Sequence, residues 1–155
     1  MADAAEVLEA ARAKGWRIAT AESCTGGLIA GTLTEVAGSS DVVECGFVTY
    51  SNTAKQKMLD VTVASLEAHG AVSEQVAREM AEGALKASGV DLAVSVTGIA
   101  GPGGSEFKPE GMVCFGVATA RGVATETVQF GALGRSEVRR ATVAHALTLL
   151  LSALS

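Results

Sequence analysis

Three segments of this sequence carry residue types that do chemistry. In Ala21-Glu22-Ser23-Cys24-Thr25-Gly26-Gly27 a serine stands where a strand pattern gives way to a helix pattern. Such a junction aims unpaired backbone N–H groups at one point and can receive an anion. Gly26 and Gly27 would let a ligand approach the backbone closely. The same residues also suit a plain strand–turn–helix with Ser or Thr as N-cap, and they match neither a Walker A loop nor a full G-x-G-x-x-G. The second segment, Thr97-Gly98-Ile99-Ala100-Gly101-Pro102-Gly103-Gly104, leaves the carboxyl end of an almost wholly apolar strand. Ligands of open α/β sheets bind there, although a flexible surface loop would read alike. The third runs from Phe47 to Asn52, with Tyr50 at a strand end and Lys55 in the next turn. A lysine can deprotonate a serine once burial or nearby positive charge lowers its pKa. Taken alone, Lys55 reads more readily as a solvated surface residue than as a base.

Elimination narrows the chemistry. The chain has two histidines, His69 and His145. His69 falls at a predicted helix end, a capping or solvent position, and His145 on the last helix among apolar residues. Neither stands in a G-x-S-x-G context, so a histidine-based acyl hydrolase and a zinc hydrolase are both disfavoured. The three cysteines, Cys24, Cys45 and Cys114, are far apart and form no C-x-x-C pair or zinc spacing. They read as reduced, small hydrophobic residues, and no metal site is expected.

Composition sets the class. The 155 residues suit one domain over 1–155, with 48% hydrophobic and 19% charged residues arguing against disorder. Aromatics make up 4%, so Ala, Val and Leu must fill the core. A net charge of −5 with no Lys/Arg run argues against nucleic acid. Arg135, Arg139 and Arg140 form a local basic spot that a small anion would suit better than a duplex. No signal-peptide pattern opens the chain and no apolar run is long enough to span a bilayer, so a cytoplasmic location without a membrane partner is expected.

The elements that must position these residues follow from periodicity. Helical spacing predicts a helix over 3–14, stopped by Gly15. A strand over 16–21 precedes a helix opened by Thr25-Gly26-Gly27 and ended by Ala37-Gly38-Ser39-Ser40. A strand over 42–50 follows, then short helices over 54–59 and 63–69, and a longer one to about Ser88 with Ser73 as N-cap. Residues 91–97 read as a central strand buried on both faces. Residues 98–111 form a Gly/Pro-rich loop, 112–120 and 123–130 a strand pair, and 135–153 the last helix. The fold class is α/β: a three-layer α/β/α domain with a mixed sheet flanked by helices. Strand order is not readable from the pattern.

Together these segments resemble the CinA C-terminal domain family, and within it the stand-alone nicotinamide-nucleotide amidases. The resemblance rests on Thr20-Ala21-Glu22-Ser23-Cys24-Thr25-Gly26-Gly27, Ala37-Gly38-Ser39-Ser40, Gly46-Phe47-Val48-Thr49-Tyr50-Ser51-Asn52 with Lys55, Gly70-Ala71-Val72-Ser73, Gly98-Ile99-Ala100-Gly101-Pro102 and Lys108-Pro109-Glu110-Gly111, in that order over nearly the whole chain. It implies hydrolysis of nicotinamide mononucleotide to nicotinic acid mononucleotide and ammonia, with no metal and no organic cofactor. It makes Ser23 the nucleophile, Lys55 its general base and Tyr50 a helper in proton transfer. Thr25, Gly26, Gly27, Ser39, Thr97, Gly98, Ile99, Ala100 and Gly101 are then expected to contact substrate or the developing oxyanion, with Arg135 or Arg139 on the phosphate. A homodimer is expected as for many small α/β enzymes. The alternative is a nucleotide-binding or regulatory module of the same family without catalysis.

Overall fold

Helix α1 (Ala4–Lys14) shows how closely local chemistry sets the elements. Its N-cap Asp3 accepts from the Glu6 amide, and Gly15 closes it at a φ of 72°. Trp16 then donates back to the Ala11 carbonyl, so it belongs to the helix cap and the predicted strand starts two residues late. The computed structural model describes residues 2–105 and 107–155; Met1 and Glu106, the latter within the predicted loop, lie outside the described residues.

The strands are β1 (Ile18–Glu22), β2 (Val43–Val48), β3 (Leu92–Gly98), β4 (Met112–Thr119) and β5 (Gly122–Gln129). They form one sheet in the order β2-β1-β3-β4-β5. β1 runs parallel to both β2 and β3, whereas β3–β4 and β4–β5 are antiparallel. The remaining helices are α2 (Leu28–Thr34), α3 (Asn52–Leu59), α4 (Val63–His69), α5 (Glu74–Ser88) and α6 (Arg135–Ala153). Residues of α1, α2 and α6 pack on one sheet face around Ile18, Val94 and Phe115. Residues of α3 and α5 pack on the other around Ala21, Ala93 and Ala118. The expected α/β/α layering with a mixed sheet is borne out.

Strand order positions the site. β1 leads through α2 to β2 on one side, and β3 then returns to the other side of β1. The order therefore reverses between β1 and β3, and a crevice opens beyond their carboxyl ends, the place where open α/β sheets bind ligands. Ser23 follows β1 directly and the Gly98–Gly104 loop follows β3.

Candidate active site

Ser23 sits in a turn that a buried carboxylate organises. Glu22 ends β1 fully buried, and its two oxygens accept from Thr20 Oγ1 (3.1 Å), Thr25 Oγ1 (2.7 Å), the Ile29 amide (2.8 Å) and the Ala30 amide (3.0 Å). The N-terminal amides of α2 are therefore occupied by the chain's own anion. Gly26 and Gly27 take φ values of 57° and 106°, so the helix starts at Leu28 and not at the predicted Thr25. The Ser23 amide donates to the Val96 carbonyl (3.1 Å), tying the turn to β3.

Lys55 arrives from the other side of β1. Its helix α3 is started by Ser51, whose Oγ accepts from the Ala54 amide (3.0 Å), two residues earlier than predicted. A Cβ at Gly83 would lie 2.0 Å from the Leu59 carbonyl oxygen, so only glycine lets α5 press so closely on the end of α3. The result is a lysine 1% exposed. Its Nζ lies 2.9 Å from Ser23 Oγ and 2.8 Å from the Thr49 carbonyl oxygen. The solvated position that Lys55 would suit by itself is ruled out.

Both groups face a cavity of about 340 Å³, within the range of small-molecule sites. Tyr50, Thr97, Gly98, Ile99, Ala100, Gly101 and Arg135 also line it. Tyr50 is 60% exposed and lies beyond β2, not within it. Its hydroxyl accepts from Arg135 Nη2 (2.7 Å), while Arg135 Nη1 donates to the Gly101 carbonyl (2.7 Å). Arg135 thus joins the mouth of the cavity to its glycine loop. Thr97 Oγ1 donates to the Ala71 carbonyl (2.9 Å).

Five expected substrate contacts lie elsewhere. Thr25, Gly26, Gly27, Ser39 and Arg139 do not line this cavity. Thr25 is buried with its hydroxyl on Glu22. Gly26 and Gly27 serve the turn. Ser39 precedes β2, which is parallel to β1, so it lies at the amino end of the sheet, roughly a strand length (~17 Å) from the end carrying Ser23. There its neighbours form a structural knot in which Arg12 pairs with Asp41 at 2.8 Å. Arg139 donates to the carbonyls of Cys24 and Thr25 from behind the turn.

The sequence reading missed other contributors. Asn52 and Cys24 line the cavity. Glu110 holds the loop, accepting from the Gly103 amide (2.7 Å) and the Gly134 amide (3.1 Å), and Lys108 donates to the carbonyls of His69 and Val72. A signal was present: a Lys-Pro-Glu run closing a Gly/Pro-rich loop has charges with backbone groups to bind. Neither histidine lines the cavity. His145 pairs with Glu126 and packs on Phe115 at 4.7 Å between ring centroids.

Cys24 is the neighbour that could compete with Ser23 as nucleophile. Its thiol is pushed up to about 11, chiefly by burial and further by Glu22, with its own backbone amide, Lys55 and Arg139 acting the other way. The thiolate is the reactive form, and at about pH 8 it would make up roughly 0.1% of this thiol. Iodoacetamide at that pH should therefore leave activity intact. Mass spectrometry showing rapid alkylation at Cys24 would contradict this.

Comparison with known proteins places these residues in a family context. A family model described as the CinA C-terminal domain matches residues 2–154. A nicotinamide-nucleotide amidohydrolase PncC of Escherichia coli K12 is 53% identical over 146 residues, covering 94% of this chain and 88% of that protein. A CinA-like protein of Chlorobium phaeobacteroides is 62% identical over 121 residues, covering 76% of this chain but 29% of that longer protein. The crystal structure of the competence/damage inducible protein CihA from Agrobacterium tumefaciens superposes with a TM-score of 0.88 at 51% identity, covering 96% of this chain and 95% of that one.

Proposed function

The chain belongs to the CinA C-terminal domain family, and we propose that it hydrolyses the carboxamide of nicotinamide mononucleotide, releasing ammonia and nicotinic acid mononucleotide. The observation that carries the reading is a buried amine 2.9 Å from a serine hydroxyl beside a glycine-lined cavity. Relatives that match over most of their length and bear the name nicotinamide-nucleotide amidohydrolase supply the substrate.

The reaction uses Ser23 as nucleophile and Lys55 as general base. The amine must be neutral at attack to take the Ser23 proton. The Thr49 carbonyl takes one of its N–H groups, which helps aim the amine at Ser23. The Ser23 proton passes to Nζ as Oγ adds to the carboxamide carbon. Backbone amides of the Ser23 turn and of the Gly98 loop are the donors for the oxyanion, worth about 3 kcal/mol each where aligned. The tetrahedral adduct collapses as Lys55 returns the proton to the leaving nitrogen, and ammonia departs. Water, deprotonated by Lys55, then adds to the acyl carbon; as the bond to Ser23 breaks, Lys55 returns the proton to Oγ and the acid departs as its carboxylate. Arg135 is the arginine that lines the cavity and the partner for the 5′-phosphate, which would draw its guanidinium off Tyr50 and Gly101. Tyr50 completes the proton network at the mouth.

Incubation of purified protein with nicotinamide mononucleotide should release ammonia and nicotinic acid mononucleotide in equal amounts, with chelator making no difference. A ligand-induced rise in melting temperature with no product would instead mark a binding module and end the enzymatic reading.

A further inference from the structure

Arg135 and Arg139 stand one turn apart on α6, but they serve opposite sides of the Ser23 turn. Arg135 lines the cavity, whereas Arg139 lines a separate groove against α1 and α2. Arg139 Nε donates to the Cys24 carbonyl (3.1 Å) and Nη2 to the Thr25 carbonyl (3.2 Å). These are the two residues that follow Ser23. The guanidinium lies beside Gly26, where a Cβ would come 3.3 Å from Nη2. The planar fork reaches both carbonyls at once, which a lysine ammonium on its flexible stem would not hold in the same geometry.

We propose that Arg139 is a positioning residue for the nucleophile. It holds the Cys24 and Thr25 peptides from behind, while Glu22 holds the same turn from within through Thr25 Oγ1. Because a trans peptide points its C=O and N–H in opposite directions, fixing the Cys24 carbonyl on Arg139 turns the Thr25 N–H away from α6. The Gly26 N–H closes the turn on the Ser23 carbonyl at 3.0 Å. Ser23 Oγ is thereby kept at its place beside Lys55 Nζ. Arg139 has no need to touch substrate.

This rests on the reading of Ser23 as nucleophile, and two measurements separate the claims. Arg139→Ala should lower kcat about 100-fold, the scale expected when a reacting group is misplaced by about an ångström, with KM for nicotinamide mononucleotide changed less than about twofold. Arg139→Lys should recover part of the loss, and added guanidinium should restore turnover to Arg139→Ala. Labelling of Ser23 by a fluorophosphonate, which carries no nucleotide, should slow in parallel with kcat. A higher KM with unchanged kcat and labelling would make Arg139 a phosphate contact and overturn the proposal. Unchanged kcat, KM and labelling in Arg139→Ala would overturn it as well. Should Arg139→Ala not fold, Arg139→Lys carries the same comparison. A wild-type protein that fluorophosphonate does not label at Ser23 fails the nucleophile reading itself.

Discussion

Ser23→Ala and Lys55→Met should each lower kcat/KM for ammonia release by at least about 10³-fold, the loss of a nucleophile or its base. That factor corresponds to about 4 kcal/mol of transition-state stabilisation. Methionine fills most of the space of the lysine stem. It leaves the Thr49 carbonyl, now 2.8 Å from Nζ, without that donor. The stability cost of one unpaired buried group is about 1–3 kcal/mol, so a protein that stays folded should still show the full loss of rate. The double variant should be no slower than the worse single one, because the two groups act as a unit. Lys55→Arg separates two roles. It keeps a positive charge in the site but cannot give up a proton at ordinary pH. If Lys55 works as a base, Lys55→Arg is as inactive as Lys55→Met. Should it retain roughly a tenth of wild-type turnover, charge and not proton transfer would be the contribution. Circular dichroism on each variant confirms that activity, not folding, was lost.

The layers of this fold were legible because its elements carry strong local signals. The even apolar run of β3, the Ser73 cap of α5 and the glycine stops at Gly15 and Gly89 each act within a few residues of chain. Strand order was not legible, since parallel pairing of β1 with both β2 and β3 depends on partners far along the chain. The site divided the same way. Ser23, Tyr50 with Lys55, and Arg135 were brought to one cavity from three separate segments. Five expected contacts fall outside that cavity, for different reasons. A glycine-rich helix opening was read as open to a ligand, when Glu22, on the strand just before it, takes the amides. The signal was there: a carboxylate ending a wholly buried strand must find internal donors. Ser39 falls outside the cavity because a residue before a parallel strand lies at the opposite end of the sheet from one after it, which only the topology reveals.

Glu22→Ala should produce the largest loss of stability in the molecule short of disrupting the apolar core. Four donors converge on this carboxylate, and two of them, the Ile29 and Ala30 amides, belong to the first turn of α2, where an amide has no intrahelical partner. The hydroxyls of Thr20 and Thr25 can rotate; the amides cannot. Leaving two buried amides unpaired costs about 1–3 kcal/mol each, and loss of the anion from the helix N-terminus adds up to about 2 kcal/mol. The sum, roughly 2–8 kcal/mol, should lower Tm by at least about 4 °C in a domain of this size. Glu22→Gln keeps the shape and one acceptor oxygen but turns an NH₂ toward donors, so it should fall between wild type and alanine. Because Thr25 Oγ1 ties the Ser23 turn to Glu22, turnover measured well below the new Tm should fall as well. A melting curve for Glu22→Ala within about 2 °C of wild type would mean that the α2 amides find other acceptors, and that the turn holding Ser23 does not depend on this carboxylate.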